Sequence, residues 1–180
     1  MPVDQTPITW TDAVTTLDDN NFNTEVRDAA LLLLNPPMGS IRKASGTQSV
    51  APNVLTVIVM DTLNFDTEDP ATPMWASANP SRLTIRTPGW YEVTASVEFQ
   101  STVACTATAG FRVNGATLYN GCSVTAPAIF GFLDLSPNSL ILMNSGDYVE
   151  FAVLHNATVN QNFAQSFFMP CLAVCRRRGI

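Results

Sequence analysis

Residues 88–99 read Pro-Gly-Trp-Tyr-Glu-Val-Thr-Ala-Ser-Val-Glu-Phe. A Pro-Gly turn opens the stretch, and strict alternation follows. Tyr91, Val93, Ala95, Val97 and Phe99 fall on one side; Trp90, Glu92, Thr94, Ser96 and Glu98 fall on the other. A period of two, carried by β-branched and aromatic residues, predicts a strand with one buried face. Its length suits a central strand of a β-sandwich. The residues after Pro37 read as strands arranged around it. Those before Pro37 read as a different kind of element.

Working outward, Arg82–Arg86 is a short alternating strand. Gly110–Gly115 ends in Asn-Gly, a hairpin signal. Ala128–Leu135 and Leu140–Met143 are two more strands. Gly146–His155 alternates again, with Val149, Phe151 and Val153 on one face and Tyr148, Glu150, Ala152 and Leu154 on the other. That second face is only half polar, which makes Tyr148, Ala152 and Leu154 the expected subunit contacts. Phe163–Cys175 is the last strand region, where Pro170 marks an edge or a bulge. Arg176–Arg178 is expected to be a solvated tail. On the other side, Ser40–Ser45 reads as the first strand. Val54–Met60 is nearly continuous in apolarity and predicts a strand buried on both sides. Asp61–Pro73, with Asp66, Glu68 and Asp69, reads as a solvated acidic loop whose spacing fits no calcium loop.

Residues 1–17 are polar and extended, with Trp10 a conspicuous docking residue. Asp18, Asp19 or Asn20 then caps a helix. Phe22, Val26, Ala29, Ala30 and Leu33 recur at helical spacing, Leu31–Leu34 widen the stripe, and Asn35-Pro36-Pro37 ends it. A helix of about fourteen residues is marginal alone in water. It is expected to bury its leucines against symmetry mates or a larger assembly, with packing on its own β-domain as the alternative. Arg27 is the one base among six acids in the first 35 residues. The expected docking residues are Trp10, Phe22, Val26, Arg27, Leu31, Leu33 and Leu34. The chain is predicted to divide into an arm, residues 1–37, and a head, residues 38–180.

Hydrophobic residues make up 46% and charged residues only 13% of the 180. So little charge favours a Thr/Ser/Asn-rich β-protein that buries apolar faces between copies. The net charge of −6 argues against nucleic acid. No apolar run is long enough to span a membrane. The first residues have neither the basic start nor the apolar core of a signal peptide, so assembly in a cytosol is expected. Cys105, Cys122, Cys171 and Cys175 lack zinc-site spacing and read as buried, reduced thiols, with Cys171 and Cys175 on one face. A Cys105–Cys122 disulfide is the alternative in oxidising surroundings.

His155 is the only histidine. It lies beside core positions and reads as a hydrogen-bonded structural residue. No nucleophile elbow, phosphate-cradling loop or metal-ligand cluster occurs. No catalytic, cofactor or metal residue is therefore expected. A polysaccharide-cleaving enzyme would have to draw on Asp66, Glu68 or Asp69.

Residues 79–99, running from Asn79-Pro-Ser-Arg through Pro88-Gly-Trp-Tyr to Phe99, resemble the strand signature of C1q and tumour-necrosis-factor-like head domains. Gly146-Asp147 followed by Val149 resembles their later Gly-Asp-x-Val motif, and Phe167 and Phe168 fit their closing strand. The resemblance implies an all-β, ten-stranded jelly-roll sandwich that assembles as a homotrimer, here with an N-terminal extended arm and one short α-helix. No collagen-like stalk accompanies it. The arm is similar to a segment of bacteriophage structural proteins, through Thr6-Pro-Ile-Thr-Trp10, Phe22-Asn-Thr-Glu-Val-Arg-Asp28 and Pro36-Pro37. Together these imply a virion protein assembled in the host cytoplasm. The first expectation is a minor tail or fibre protein in host-surface binding. The alternatives are a capsid decoration protein at threefold positions and a free carbohydrate- or protein-binding module. The implied partners are further copies of itself, a tail or major capsid protein, and a host glycan or protein. No nucleic acid, membrane insertion or cofactor is implied.

Overall fold

The computed structural model describes residues 30, 34–101, 103–116, 119–126, 131–163 and 169–178. The chain divides between Asn35 and Pro36. Ahead of that division only Ala30, Leu34 and Asn35 are described; Ala30 and Leu34 are helical, and Leu34 is exposed. Trp10, Phe22, Val26, Arg27, Leu31 and Leu33 lie outside the described residues.

From Pro36 onward the described residues form β1 (Met38–Arg42), β2 (Gln48–Val50), β3 (Thr56–Val57), β4 (Thr62–Asp66), β5 (Arg82–Thr84), β6 (Gly89–Ser101) and β7 (Cys105–Val113). Then come β8 (Tyr119–Ala126), β9 (Gly131–Leu135), β10 (Asn138–Met143), β11 (Tyr148–His155), β12 (Gln161–Phe163) and β13 (Cys171–Arg178). They make two antiparallel sheets. One runs β2-β12-β6-β13-β1-β4, with β9 and β10 also pairing with β6. The other runs β3-β11-β7-β8, with β5 also on β11. This is the predicted all-β jelly-roll sandwich.

The alternating stretch is its central strand. Tyr91, Val93, Ala95, Val97 and Phe99 are all buried in the core with Phe111 of β7 and Phe151 of β11. Each such fully buried large side chain contributes about 1.5–3 kcal/mol over an exposed one. The Tyr91 hydroxyl donates to the Thr87 carbonyl at 2.6 Å, so its polar end is satisfied. Its burial, with the Glu68 charge nearby, pushes that phenol well above its ordinary value. Gly39 of β1 is a point of close approach: a Cβ there would lie 2.9 Å from the Met74 sulfur and 3.3 Å from Leu83. The β7–β8 turn uses Asn114 and Gly115 at φ of 52° and 72°, the geometry an Asn-Gly hairpin supplies at least cost.

His155 is buried at the end of β11. Its Nε2 lies 2.9 Å from the Val50 carbonyl in the other sheet, and its Nδ1 accepts from the Ala157 N–H. Because Nδ1 accepts, Nε2 carries the proton and donates to Val50. The ring tilts against Phe99 at 5.6 Å. The histidine is structural, as expected.

Several local expectations are corrected. The first strand is Met38–Arg42, shifted by two residues, and Lys43 instead donates its N–H to the Pro170 carbonyl. Residues 54–60 are not buried on both sides: Ile58 and Met60 are fully buried, whereas Val54 and Val59 are exposed, and only Thr56–Val57 is strand. The supposed acidic loop contains β4. The last strand region is two strands, and Pro170 precedes β13 rather than interrupting it. β13 is central, between β1 and β6, and it takes in the arginines read as a tail. Arg176 Nε donates to the Pro88 carbonyl at 3.0 Å. All four cysteines are free, and only Cys105 is buried. The Cys105–Cys122 bridge is ruled out by register. Cys105 faces Ala126 while Cys122 faces Ala109, four residues along the ladder, or about 13 Å.

Register also sets the two ends of the head. Met38 pairs with Cys175, the Arg176 N–H donates to the Pro37 carbonyl, and Thr67 Oγ1 donates to the Pro36 carbonyl. The chain therefore comes into the head at the end where β6 starts and β13 finishes. At the opposite end lie the described connecting residues 51–55, 103–104, 156–160 and 169–170, and none of them has an ionisable side chain.

Candidate functional site

Alternation along five neighbouring strands builds the outer face of the larger sheet in rows. One row is Phe65, Ser40, Ala173, Thr94 and Asn138, crossing β4, β1, β13, β6 and β10. The next is Met38, Cys175, Glu92 and Leu140. Beyond them Arg42, Cys171 and Ser96 share a row, and Trp90 stands opposite Leu142. Leu140, Phe65, Leu142 and Trp90 are 55%, 48%, 46% and 36% exposed. Between them the side chains are small or internally bonded. Asn64 Nδ2 donates to Ser40 Oγ at 3.1 Å, and Ser96 Oγ contacts Cys171 Sγ at 3.1 Å.

One ion pair stands on this face among the described residues. Arg177 donates from Nε to Glu92 Oε2 at 2.7 Å and from a second nitrogen to the same oxygen. Asn138 donates to Glu92 Oε1 at 3.1 Å. Those bonds, from Asn138 and then Arg177, hold the Glu92 carboxyl below its ordinary value. Beside the pair is a groove of about 230 Å³, lined by Met38, Phe65, Thr94, Ala173 and Cys175 together with Glu92 and Arg177.

The outer face of the smaller sheet is different. The Arg82 guanidinium stacks 4.4 Å over the Tyr148 ring. Arg112 Nη1 sits 3.7 Å from Glu150 Oε2, and its Nε donates to the Ala116 carbonyl at 3.0 Å. Ser81 Oγ donates to Glu150 Oε1 at 3.3 Å. Farther along, hydroxyls pair across strands, Thr108 with Ser123 at 2.7 Å and Thr106 with Thr125 at 3.1 Å. The expected contact residues Tyr148, Ala152 and Leu154 are on β11 of this sheet. Ala152 has no surface to offer a partner: it is fully buried within the chain, between Val57 and Gly110 in the ladder. Tyr148 is already stacked, and Leu154 is only partly exposed.

The acids open to a hydrolase reading serve as local caps. Asp66 Oδ1 accepts from the Glu68 N–H at 3.0 Å, and Oδ2 from the Met74 N–H at 2.7 Å. Asp69 accepts from the Ala71 N–H, and Glu68 from the Thr87 hydroxyl. Asp61 accepts from Ser45, Ala44 and Thr62. Burial alone would raise its carboxyl, but those bonds outweigh it and hold the group well below its ordinary value. Among the described residues no cluster of three or more His, Cys, Asp or Glu side chains is placed to hold a metal.

Sequence reasoning therefore missed the open face. Its signal was present in Asn138–Met143, where Leu140 and Leu142 alternate with Ile141 and Met143 and both sides of the strand are apolar. The structure buries Ser139, Ile141 and Met143 and exposes Asn138, Leu140 and Leu142.

No protein-family model matches the chain, and no curated protein matches it. Solved structures do. Murine APRIL superposes with a TM-score of 0.53 at 10% identity, covering 78% of this chain and 98% of that one. The globular domain of zebrafish complement 1qA superposes at 0.50 with 11% identity, covering 79% and 99%. The fold is a C1q/TNF-like jelly roll.

Proposed function

We propose that the protein is a non-enzymatic surface protein of a bacteriophage virion, a homotrimer of jelly-roll heads fixed to the particle by the residues ahead of Pro36. The observation that carries the reading is the outer face of the larger sheet. Exposed large apolar side chains, Leu140, Leu142 and Trp90 at one flank and Phe65 at the other, around an already neutralised ion pair suit contact with further copies of the chain. The resemblance of residues 6–10 and 22–28 to phage structural proteins supplies the virion context. Three arms acting together give firm attachment from individually weak contacts.

The arrangement of the head favours a role in binding the host surface. The chain comes in at one end, beside Arg176 and the Asp66–Asp69 turn. At the opposite end the described connecting residues carry no charge, and Val54, Val159 and Met169 are exposed. That end is the one turned toward a host glycan or protein. Thr62–Asp66 and Tyr119–Ala126 are strands, and Thr67 holds its turn against Met38.

The test is a chain lacking residues 1–35, cut there because Pro36 and Pro37 are bonded into the head. It is expected to run as a three-chain species and to be absent from purified particles. Retention on the particle overturns the anchoring role. Copy number on intact particles then separates tail from capsid: a few copies fit a tail protein, and hundreds with a stabilised shell fit a decoration protein.

A further inference from the structure

The end of the head opposite the chain's entry hangs on one ring. His155 closes β11 and is buried. Its Nε2–H donates to the Val50 carbonyl of β2 at 2.9 Å, and its Nδ1 accepts from the Ala157 N–H at 3.2 Å. Its own carbonyl accepts from the Asn53 N–H at 2.7 Å. One residue thus ties the connections 51–55 and 156–160 to each other and joins the smaller sheet to the larger one. The corner it holds has few other ties among the described residues. β2 is three residues long and pairs only with β12, and β12 meets β6 at the single pair of Phe163 with Phe99. Gln48 fastens the start of β2, by Nε2 to the Val57 carbonyl and by Oε1 to the Val59 N–H. Its far end is Val50. Opposite Val50 in the ladder, the Gln161 side chain is buried and its Nε2 has no acceptor, which weakens the closed form. A corner with so few ladder bonds opens by itself, without the rest of the fold.

The ring holds this corner only while it is neutral. A second proton has one place to go, Nδ1, and that atom faces the Ala157 N–H. The bond there would be lost, and a buried cation would need a counter-charge. The surrounding elements supply none among the described residues. Phe99 of β6 lies against the ring, Ala107 of β7 stands opposite it in the ladder, and Val50 and Gln161 come from β2 and β12. Cys105, two residues before Ala107 on the same face of β7, is the titratable neighbour, and a thiol carries no charge in acid. Glu98 belongs to the other face of β6, where Asp134 is its ladder partner. We infer that His155 is an acid-sensitive latch: taking up a proton releases the β2–β12 corner, and with it the connections 51–55 and 156–160. The open corner takes the proton and the closed one excludes it, so closure is favoured at neutral pH and lost as pH falls. The latch is independent of what that end of the head contacts and of how many copies associate.

The experiment is amide hydrogen exchange on the full-length protein between about pH 7.5 and about pH 5, corrected for the intrinsic exchange rate. Protection over residues 48–55 and 156–163 should fall with acid by up to about tenfold per pH unit, the slope that one proton allows. Protection over residues 91–97 should hold. His155 is the only histidine, so its ring resonance reads the proton directly. That resonance should shift with the same midpoint as the loss of protection. His155→Gln keeps a donor for Val50 and takes up no proton, so its corner should be looser at neutral pH and no looser in acid. Protection that is the same at both ends of the pH range overturns the latch, as does a loss whose midpoint differs from that of the ring. A His155→Gln chain whose corner still opens with acid overturns it too, because the proton is then taken elsewhere. Should that variant fail to fold, the wild-type ring and exchange curves decide alone.

Discussion

The outer faces of the two sheets start from similar material and end differently. Both alternate, and both mix apolar with polar positions. On the smaller sheet the polar side chains around Tyr148 lean on one another: Arg82 on the ring, Arg112 and Ser81 on Glu150. The small residue among them, Ala152, is sealed off. On the larger sheet the order is inverted. The small residues, Ala173 and Thr94, form the floor of a groove, and the large apolar ones, Leu140, Leu142, Phe65 and Trp90, stand exposed around it. What separates a finished face from an open one is therefore the position of the large side chains, not the fraction of apolar residues.

The largest expected effect comes from forcing the finished face open. Ala152→Glu puts a carboxylate at a position sealed from solvent, beside an Arg112 already engaged with Glu150. It should cost the single chain about 3 kcal/mol through overpacking and an unpaired buried charge. Denaturant unfolding of the full chain measures this. The same change at Leu140 should leave the unfolding midpoint of the single chain nearly where it was and remove self-association instead. If Ala152→Glu were tolerated while association failed, the assignment of the two faces would be reversed.

A smaller effect sharpens the contrast. Tyr148→Ala removes the ring beneath Arg82 and leaves that guanidinium to water. The loss should be about 0.5–1 kcal/mol in unfolding free energy, with the mass of the oligomer unchanged. A Tyr148 variant that fell apart into single chains would return the contact to β11.

These faces also show how far the sequence could be read. The Pro88–Phe99 alternation was decisive, because a clean period of two with aromatic and β-branched residues inside leaves one way to bury the strand. The Asn114-Gly115 turn was equally plain, since positive φ at successive residues is what that pair supplies. The open face was less legible. Leu140 and Leu142 alternate with Ile141 and Met143, so both faces of β10 are apolar, and the period alone cannot say which one turns inward. The side is fixed by pairing with β6, a contact made across more than forty residues of chain. Ala152 failed for a related reason. Its fate depends on Val57 and Gly110 beside it, which come from two distant strands. The cysteines followed the same rule: Cys105 and Cys122 are near in sequence, but hairpin register sets them four positions out of line. Short-range patterns locate strands; only their neighbours decide exposure.

The smallest expected effect lies in the wall of the groove and is visible through pH. Asn138 and Arg177 hold the Glu92 carboxyl below its ordinary value of 4.5. A carboxyl lowered in the folded state adds stability that is present above the unfolded value and is lost as pH falls through the folded one. The difference in unfolding midpoint between the wild type and Glu92→Gln should therefore be constant at neutral pH, begin to shrink near the unfolded value of 4.5 and vanish only once pH has fallen through the lower folded value. Asp61, also lowered, titrates in both chains and cancels in that difference. Because Glu92 is only half-buried and its partner Arg177 is exposed, the effect on a single chain should be slight and should shrink with salt. It should grow when the chains are associated, since a copy packed on this face shields the pair from water. A difference that persisted unchanged into acid, or that was the same at dilutions where the chains separate, would mean that this face is not the one covered.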